Sequence, residues 1–531
     1  MVSSIPALLA SHIRPDNSAP AQRFTSSGHW VQRSYAELWY LIGSTAAALR
    51  ALGVRHGDRV AVQLRTRADW SVIDLAAATL GAPLVPIYPT SAPAQVLDIV
   101  ERTRPVLLIV DALHIVPGLD AGGPAVVRVG AEDGDLGELA AGDDTGAAAT
   151  PTVGPHDLYS ISFTSGSAGK SKGCLLTHGN FAAVVTMAVA AETHPEYGLA
   201  HRDIAFVFLP LAHASARLQQ LTTFAAGGEL VYGHGDTARI LEQIAQTGPT
   251  YVPGMPRLFE SAYLRANRDP LVLRAMFGDR LIYALTGGAP IAPELLAAYA
   301  AAGIPLVEGY GSTETSTALT IATPHANRPG TVGRALPGVE LRIAGDGEIL
   351  ARGPNMFAGY LDDPEATAQA LRDDWFHTGD LGHLDSDGYL TVTGRKKNLI
   401  ITSTGKNVAP EYAENIFRQT CRLDGVVVAG DNRPYLIALV LAGGHTVDDD
   451  ELASAARLIN SAVSPPERIR KIAVVDRALS RADGELTESG KTVRPTVLAH
   501  LRGVVDDIYQ GTAPDSVRVI EIVRRPLRHA S

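Results

Sequence analysis

The run "SFTSGSAGKSKG", Ser162–Gly173, sets three glycines among five hydroxyl side chains and two lysines. Glycines let successive backbone N–H groups turn toward one anion, hydroxyls such as those of Thr164, Ser165 and Ser167 add donors, and Lys170 or Lys172 adds charge. The run therefore reads as a phosphate cradle. It is not the ordinary nucleotide P-loop, which needs four residues between its first glycine and Gly-Lys-Ser/Thr; here only two residues separate Gly166 from Gly169-Lys170-Ser171. Strand-like "LYSISF" precedes the run and helix-like "HGNFAAVVTMAVAA" follows it, so a cradle between a strand and a helix is expected.

Outward from the cradle, "RVAVQL" from Arg59, "DWSVIDLAAATLGA", "PLVPIY" and "PVLLIV" from Pro105 alternate β-branched runs with Ala-rich stretches. This is the pattern of a largely parallel sheet wrapped by helices. A second such series carries "IAFVFLPL", "GELVYG", "TYVPGMP" and "LIYALTGG". Between Gly118 and Pro155 the chain is rich in Gly, Ala and Asp without period, and is read as a surface loop. From about Arg395 the character changes: "GVVVAGDNRPYLIALVLAG" predicts a hairpin and "DDELASAARLINSAV" a helix. The expected fold class is α/β, with a large N-terminal domain of wrapped mixed sheets over residues 1–394 and a small α+β C-terminal domain over residues 395–531.

The 531 residues hold 46 basic and 56 acidic side chains, a net charge of −10 that disfavours nucleic acid and anionic membrane surfaces as partners. There is no basic start ahead of an apolar stretch and no run of the roughly 18 apolar residues that a membrane span needs. A cytoplasmic enzyme acting on small molecules is expected. Cys174 and Cys421, the only cysteines, stand far apart in the sequence and are read as buried apolar side chains. No His, Cys or Asp cluster has transition-metal spacing, and no G-x-S-x-G hydrolase signature stands out.

Extended to "FTSGSAGKSKGCLLTHGN", the cradle resembles the phosphate loop of the AMP-forming acyl- and aryl-CoA synthetases, the superfamily that includes peptide adenylation domains and firefly-type luciferases. The usual pattern there is Thr-Ser-Gly-Ser/Thr-Thr-Gly-x-Pro-Lys-Gly. Thr164, Ser165, Gly166, Ser167, Gly169, Lys172 and Gly173 match it, while Ala168 and Ser171 depart, Ser171 standing where the pattern has proline. Further matches follow in the family's order. "LPLAHASAR" brings His213 and Arg217; "TGGAPI" brings Gly288, Ala289 and Pro290; "EGYGSTETS" brings Glu308, Gly309, Tyr310, Gly311, Ser312, Thr313 and Glu314. "WFHTGDLG" brings Asp380, "GRKKNLIITSTGKNVAP" brings Arg395, Lys397, Gly405 and Asn407, and "GELTESGKTVRP" brings Lys491. Before that lysine, Glu488-Ser489-Gly490 replaces the Pro-Thr-Leu common among long-chain relatives.

The resemblance implies two half-reactions: a carboxylic acid attacks ATP to give an acyl-adenylate and pyrophosphate, and a thiol, usually that of coenzyme A, then displaces AMP. It implies that the cradle holds phosphates and that Glu314, with Thr164, holds Mg2+, a hard cation suited to a carboxylate. "TGGAPI" and "EGYGSTETS" would hold adenine and the substrate carboxylate, with Tyr310 offering its ring face. Asp380, an acceptor only, would grip the ribose hydroxyls. Lys491 would stabilise charge at the α-phosphate, His213 would orient the incoming acid, and the small domain would turn about a hinge at Lys397 between the two stages. Arg395 and Gly405 complete the expected nucleotide-binding set. Only about twenty residues separate "PRLFE" from "LIYALTGG", where bacterial long-chain enzymes usually carry a longer helical insert. The expected substrates are a fatty or arylalkyl acid, ATP and CoA. An acyl carrier protein, an amine or another nitrogen nucleophile is the alternative acceptor.

Overall fold

The computed structural model describes residues 3–111, 123–141, 153–164, 171–192, 203–289, 291–403, 406–421, 423, 425–444, 446–487 and 490–522. One sheet runs in the order Gly359–Tyr360, Lys172–Thr177, Leu158–Thr164, Leu84–Pro86, Val60–Gln63, Leu107–Asp111, Ala125–Val129. Its last five strands are parallel and the first two antiparallel. A second sheet runs Thr320–Ile321, Leu306–Tyr310, Tyr283–Gly287, Tyr251–Gly254, Ile204–Val207, Glu229–Tyr232, Pro20–Ser26, His29–Ser34. Only its two edge strands are antiparallel to their neighbours.

Helices Ala68–Leu80, His178–Glu192 and Ala214–Ala225 fill the space between these sheets. Trp70, Phe181 and Phe224 share one core with Val60 and Leu84 of the first sheet and with Val207, Leu230 and Tyr232 of the second. A helix packed on both sides is mostly apolar, and its buried acids must be paired; every residue from Ala68 to Ala78 is buried, Asp69 and Asp74 pair with Arg67 and Arg217, and Gly81 ends the helix in the left-handed conformation at φ 65°. Helix Pro93–Thr103 covers the outer face of the first sheet. Helices Thr237–Thr247, Pro256–Arg265, Pro270–Phe277 and Pro293–Ala301 cover the outer face of the second.

An antiparallel sheet of Glu340–Ile343, Glu348–Arg352, Trp375–Leu384, Leu371–Arg372 and Leu390–Arg395 follows. The last unit has its own sheet, Gly425–Ala429, Leu436–Leu441, Ile469–Val475 and Val517–Glu521, with apolar side chains buried on both faces. Helices Glu411–Cys421 and Asp449–Ala462 pack on one face, and Arg494–His500 and Arg502–Gln510 on the other. The hairpin and the helix expected here are both present.

Two expectations need correction. The cradle does not pass directly into a helix: Lys172–Thr177 is a strand, paired antiparallel with Leu158–Thr164, and the helix starts only at His178. "KGCLLT" is too short to show a period, and its pairing is set by the preceding strand. Within the expected surface loop, Ala125–Val129 is a parallel edge strand on Leu107–Asp111, burying Val127 and Val129; residues 118–122 and 142–152 lie outside the described residues. Cys174 and Cys421 are buried and unpaired. Among the described residues no helix is long and apolar enough to cross a membrane.

Candidate active site

The cleft forms beyond the C-terminal ends of the parallel strands Tyr283–Gly287 and Leu306–Tyr310, the usual place for a ligand in an open α/β sheet. These strands run in register, Thr286 beside Glu308 and Gly287 beside Gly309. Gly288 then turns at φ 75°, where a side chain would be strained. A Cβ on Gly311 would stand 2.2 Å from the Thr317 carbonyl oxygen, so the backbone passes there only without a side chain. Glu308 is buried at the base of this crevice, and burial pushes its carboxyl up to about 7.

The antiparallel sheet brings Asp380 and Arg395 together as cross-strand partners. Arg395 Nε lies 2.7 Å from Asp380 Oδ1, and the Tyr310 hydroxyl donates to Asp380 Oδ2 at 2.7 Å. Each oxygen keeps acceptor capacity for a further hydroxyl. Burial works against the Arg395 charge, but Asp380, Tyr310 and Glu314 outweigh it and raise its pKa. Burial, reinforced by Asp380, holds the Tyr310 hydroxyl protonated. The turn ahead of Asp380 is anchored by Glu348, whose Oε1 accepts the Gly379 N–H at 3.0 Å while Oε2 takes the Lys396 ammonium at 3.1 Å. One buried carboxylate thus ties Asp380 to the "GRKKN" segment.

Glu314 follows the Leu306–Tyr310 strand in a short 3-10 turn, Thr313–Thr315. Its Oε1 accepts the Tyr360 hydroxyl at 2.9 Å, and among the described residues its second oxygen has no hydrogen-bond partner. The Lys172 ammonium sits 4.7 Å above the Tyr360 ring. This carboxylate, half committed and joined through Tyr360 to the Lys172 cation, would suit a hard divalent ion. Thr164 and Lys172 are ladder partners at the two ends of the run. Ser165, Gly166, Ser167, Gly169, Pro290 and Gly405 lie outside the described residues.

Lys491 crosses from the small unit to this cleft. A Cβ built on Gly288 would lie 3.9 Å from its Nζ, and its backbone is held by Thr487, whose hydroxyl accepts the Lys491 N–H at 3.0 Å. The residue stays open to solvent, but crowding protein lowers its pKa, as does Arg395, against an opposing pull from Asp380. Lys397 is depressed by burial and by Arg395 in the same way. Lys172, Arg395, Lys397 and Lys491 therefore face two carboxylates, Glu314 and Asp380. An incoming polyanion relieves that imbalance.

His213 caps helix Ala214–Ala225 and stands edge-on to Tyr88, ring centroids 6.3 Å apart. Its Nδ1 accepts the Ser215 N–H at 3.2 Å, which assigns the ring proton to Nε2. Burial, then Lys491, lowers its pKa to about 4, so at neutral pH it is an uncharged donor. Arg217, from the same motif, is not in the cleft. It is wholly buried, and its Nη2 pairs with Asp74 at 2.7 Å while its Nη1 donates to Ser160 Oγ at 2.7 Å. Sequence reasoning also missed Tyr360, Glu348 and Lys396. Two acids in the apolar run "DWSVIDLAAATL", Asp69 and Asp74, were the visible sign that buried cations would pair there.

The raised Glu308 carboxyl gives a stability prediction. A folded-state pKa above the unfolded value makes the native state bind the extra proton, so stability falls as pH rises from the usual carboxylate range to about 7 and is level beyond. E308Q should therefore unfold at a higher temperature than the wild type at pH 8, with the difference vanishing near pH 4. A constant difference across that range would contradict the assignment.

A two-sheet body, a small unit reaching into its cleft and a cation-rich crevice define an adenylate-forming enzyme. Residues 12–361 match the AMP-binding enzyme family and residues 397–513 its C-terminal domain. The chain belongs to that family, in the acyl-CoA synthetase class. It is 32% identical to the long-chain-fatty-acid–CoA ligase FadD15 of Mycobacterium tuberculosis, over 95% of this chain and 97% of that protein. It is 27% identical to human long-chain-fatty-acid–CoA ligase 1, over 90% of this chain and 82% of that one. The ATP-bound crystal structure of MatB from Rhodopseudomonas palustris superposes with a TM-score of 0.77 at 28% identity, covering 95% of this chain and 99% of that one. The alignment with FadD15 spans 588 positions against the 531 residues of this chain, so the mycobacterial protein carries segments that this one lacks.

Proposed function

We propose that this chain activates a medium or long fatty acid, or an arylalkyl acid of similar girth, as its adenylate and passes the acyl group to CoA. The observation that carries the reading is the approach of Lys491 to Gly288, beside the Tyr310–Asp380–Arg395 cluster. ATP lies with its ribose on Asp380 and adenine against Tyr310, between the "TGGAPI" and "EGYGS" turns. Its phosphates rest on the cradle and Lys172. The acid's carboxylate, oriented by His213 Nε2–H, attacks the α-phosphorus, and pyrophosphate leaves. Lys491 stabilises the charge that gathers at the α-phosphate oxygens. Glu314 with Thr164 would hold Mg2+, which would supply charge neutralisation at the phosphates.

For the second stage the unit from residue 395 onward turns about Lys397, withdrawing Lys491 so that the CoA thiol reaches the adenylate. Residues 1–394 form the body against which it turns. Lys396, held by Asp346 at 2.6 Å and Glu348 at 3.1 Å, gives the pivot a fixed footing on that body. The named activity of the mycobacterial and human relatives supports a fatty acid and CoA as substrates. The protein works in the cytoplasm.

The test is a pyrophosphate-release and hydroxylamine-trapping screen over fatty, cinnamic and benzoic acids, with and without CoA. Release with fatty acids and CoA-dependent AMP formation are expected. Pyrophosphate release indifferent to CoA would move the second step to a carrier-protein thiol or a nitrogen nucleophile, and silence over the whole panel would end the proposal.

A further inference from the structure

We propose that Arg102 is a positioning residue for ATP: a brace that holds both flanks of the phosphate cradle and takes the place of the proline absent at Ser171. This rests on the reading of residues 164–173 as the ATP-phosphate cradle. Arg102 lies in the last turn of helix Pro93–Thr103, whose apolar side chains Val96, Ile99 and Val100 are packed against the first sheet. Its Nη1 donates to the Ser171 carbonyl oxygen at 2.7 Å. Its guanidinium carbon stands 4.9 Å from the centre of the Phe163 ring. Asp98, one turn earlier, accepts from the same Nη1 at 3.2 Å and fixes the head group in that place.

Phe163 precedes Thr164 at the entry to the cradle, and Ser171 precedes Lys172 at its exit. Thr164 and Lys172 are the last ladder pair between the two strands. Ser171 therefore stands one step past the ladder, and its carbonyl is held by the guanidinium instead. A proline there would restrict the backbone through its own ring. In this chain a residue some seventy positions upstream supplies the restraint from outside. Only arginine can do so in this geometry, since the planar fork donates along its edge while its face packs on an aromatic ring. The consequence reaches Lys172, whose ammonium stands over Tyr360, the residue that holds Glu314. A looser Ser171 would blur the placement of the charge that meets the phosphates.

The experiment compares full-length R102A, R102K, S171P, R102A/S171P and K172A by initial rates of acid-dependent pyrophosphate release and by thermal unfolding. R102A should raise the KM for ATP roughly tenfold, the equivalent of one charge-assisted hydrogen bond, with the KM for the acid and the unfolding temperature little changed. R102K should not recover it, because an ammonium cannot cap the carbonyl and pack flat on the ring together. R102A/S171P should recover most of it, because the proline restores the restraint without the guanidinium. An unchanged KM for ATP in R102A beside a raised one in K172A would reject the brace and keep the cradle; no change in either would reject the cradle reading. Parallel losses in stability and in both KM values, without rescue by S171P, would show Arg102 to be merely structural and overturn the proposal.

Discussion

Replacing Lys491 with alanine should cut acid-dependent pyrophosphate release by a hundredfold or more, while largely sparing thioester formation from a presynthesised acyl-adenylate. Attack of a carboxylate on the α-phosphorus brings anions together, and a preorganised cation at that point is commonly worth about 2.7–4 kcal/mol in the transition state. The geometry supports a role confined to the first stage. The ammonium reaches the Gly288 turn from a separately cored unit, and its nearest electrostatic neighbours are His213, Arg395 and Asp380. Little of its effect should be made up by its neighbours, since Lys172 and Arg395 are each held by their own partners. Stopped-flow assays of the two half-reactions separate the outcomes. Equal losses in both would refute the stage-specific role.

The largest expected effect on stability lies away from the chemistry. Asp74→Ala should destabilise the large body by about 3–5 kcal/mol, because it strands the Arg217 guanidinium without a counter-charge in the middle layer. Asp74 accepts from Arg217, from the Tyr159 hydroxyl at 2.8 Å and from the Gln220 amide at 3.0 Å. The guanidinium lies 4.4 Å from the Tyr159 ring centre and 5.5 Å from those of Trp70 and Phe181. The network joins helix Ala68–Leu80, helix Ala214–Ala225 and the strand that leads into the cradle. D74L/R217M, which removes both charges and refills the space, should be more stable than either single variant. Thermal and denaturant unfolding measure this; a D74A protein as stable as the wild type would contradict it. Activity in D74A should fall together with the folded fraction, since His213 caps one of the joined helices.

Local pattern carried much of the fold. The β-branched runs at "RVAVQL" and "PVLLIV" are buried parallel strands, and "DWSVIDLAAATL" is the buried helix between sheets. Their periods are written in consecutive side chains, so no distant partner is needed to read them. Short strands were less legible. "KGCLLT" and "PAVVRV" owe their state to a neighbouring strand, and Trp375–Leu384 is extended across "WFHTGDLG" because it pairs on both sides.

The site divides in the same way. Residue type and order, read together with the family resemblance, marked out the glycine-rich run at 164–173, Glu314, Asp380 and Lys491 as candidates in one chain, because a glycine-rich run, acceptor-only carboxylates and a late lysine are visible before any folding. The tertiary structure decided which of these meet. Register placed Arg395 on Asp380, the crossing of the small unit placed Lys491 at Gly288, and packing between two sheets made Arg217 a core ion pair instead of a cleft residue. It also recruited Tyr360, Glu348 and Arg102, none of which lies in a recognisable motif. A sequence names donors, acceptors and charges, but the distances and dielectric that turn them into partners exist only once remote segments are packed together.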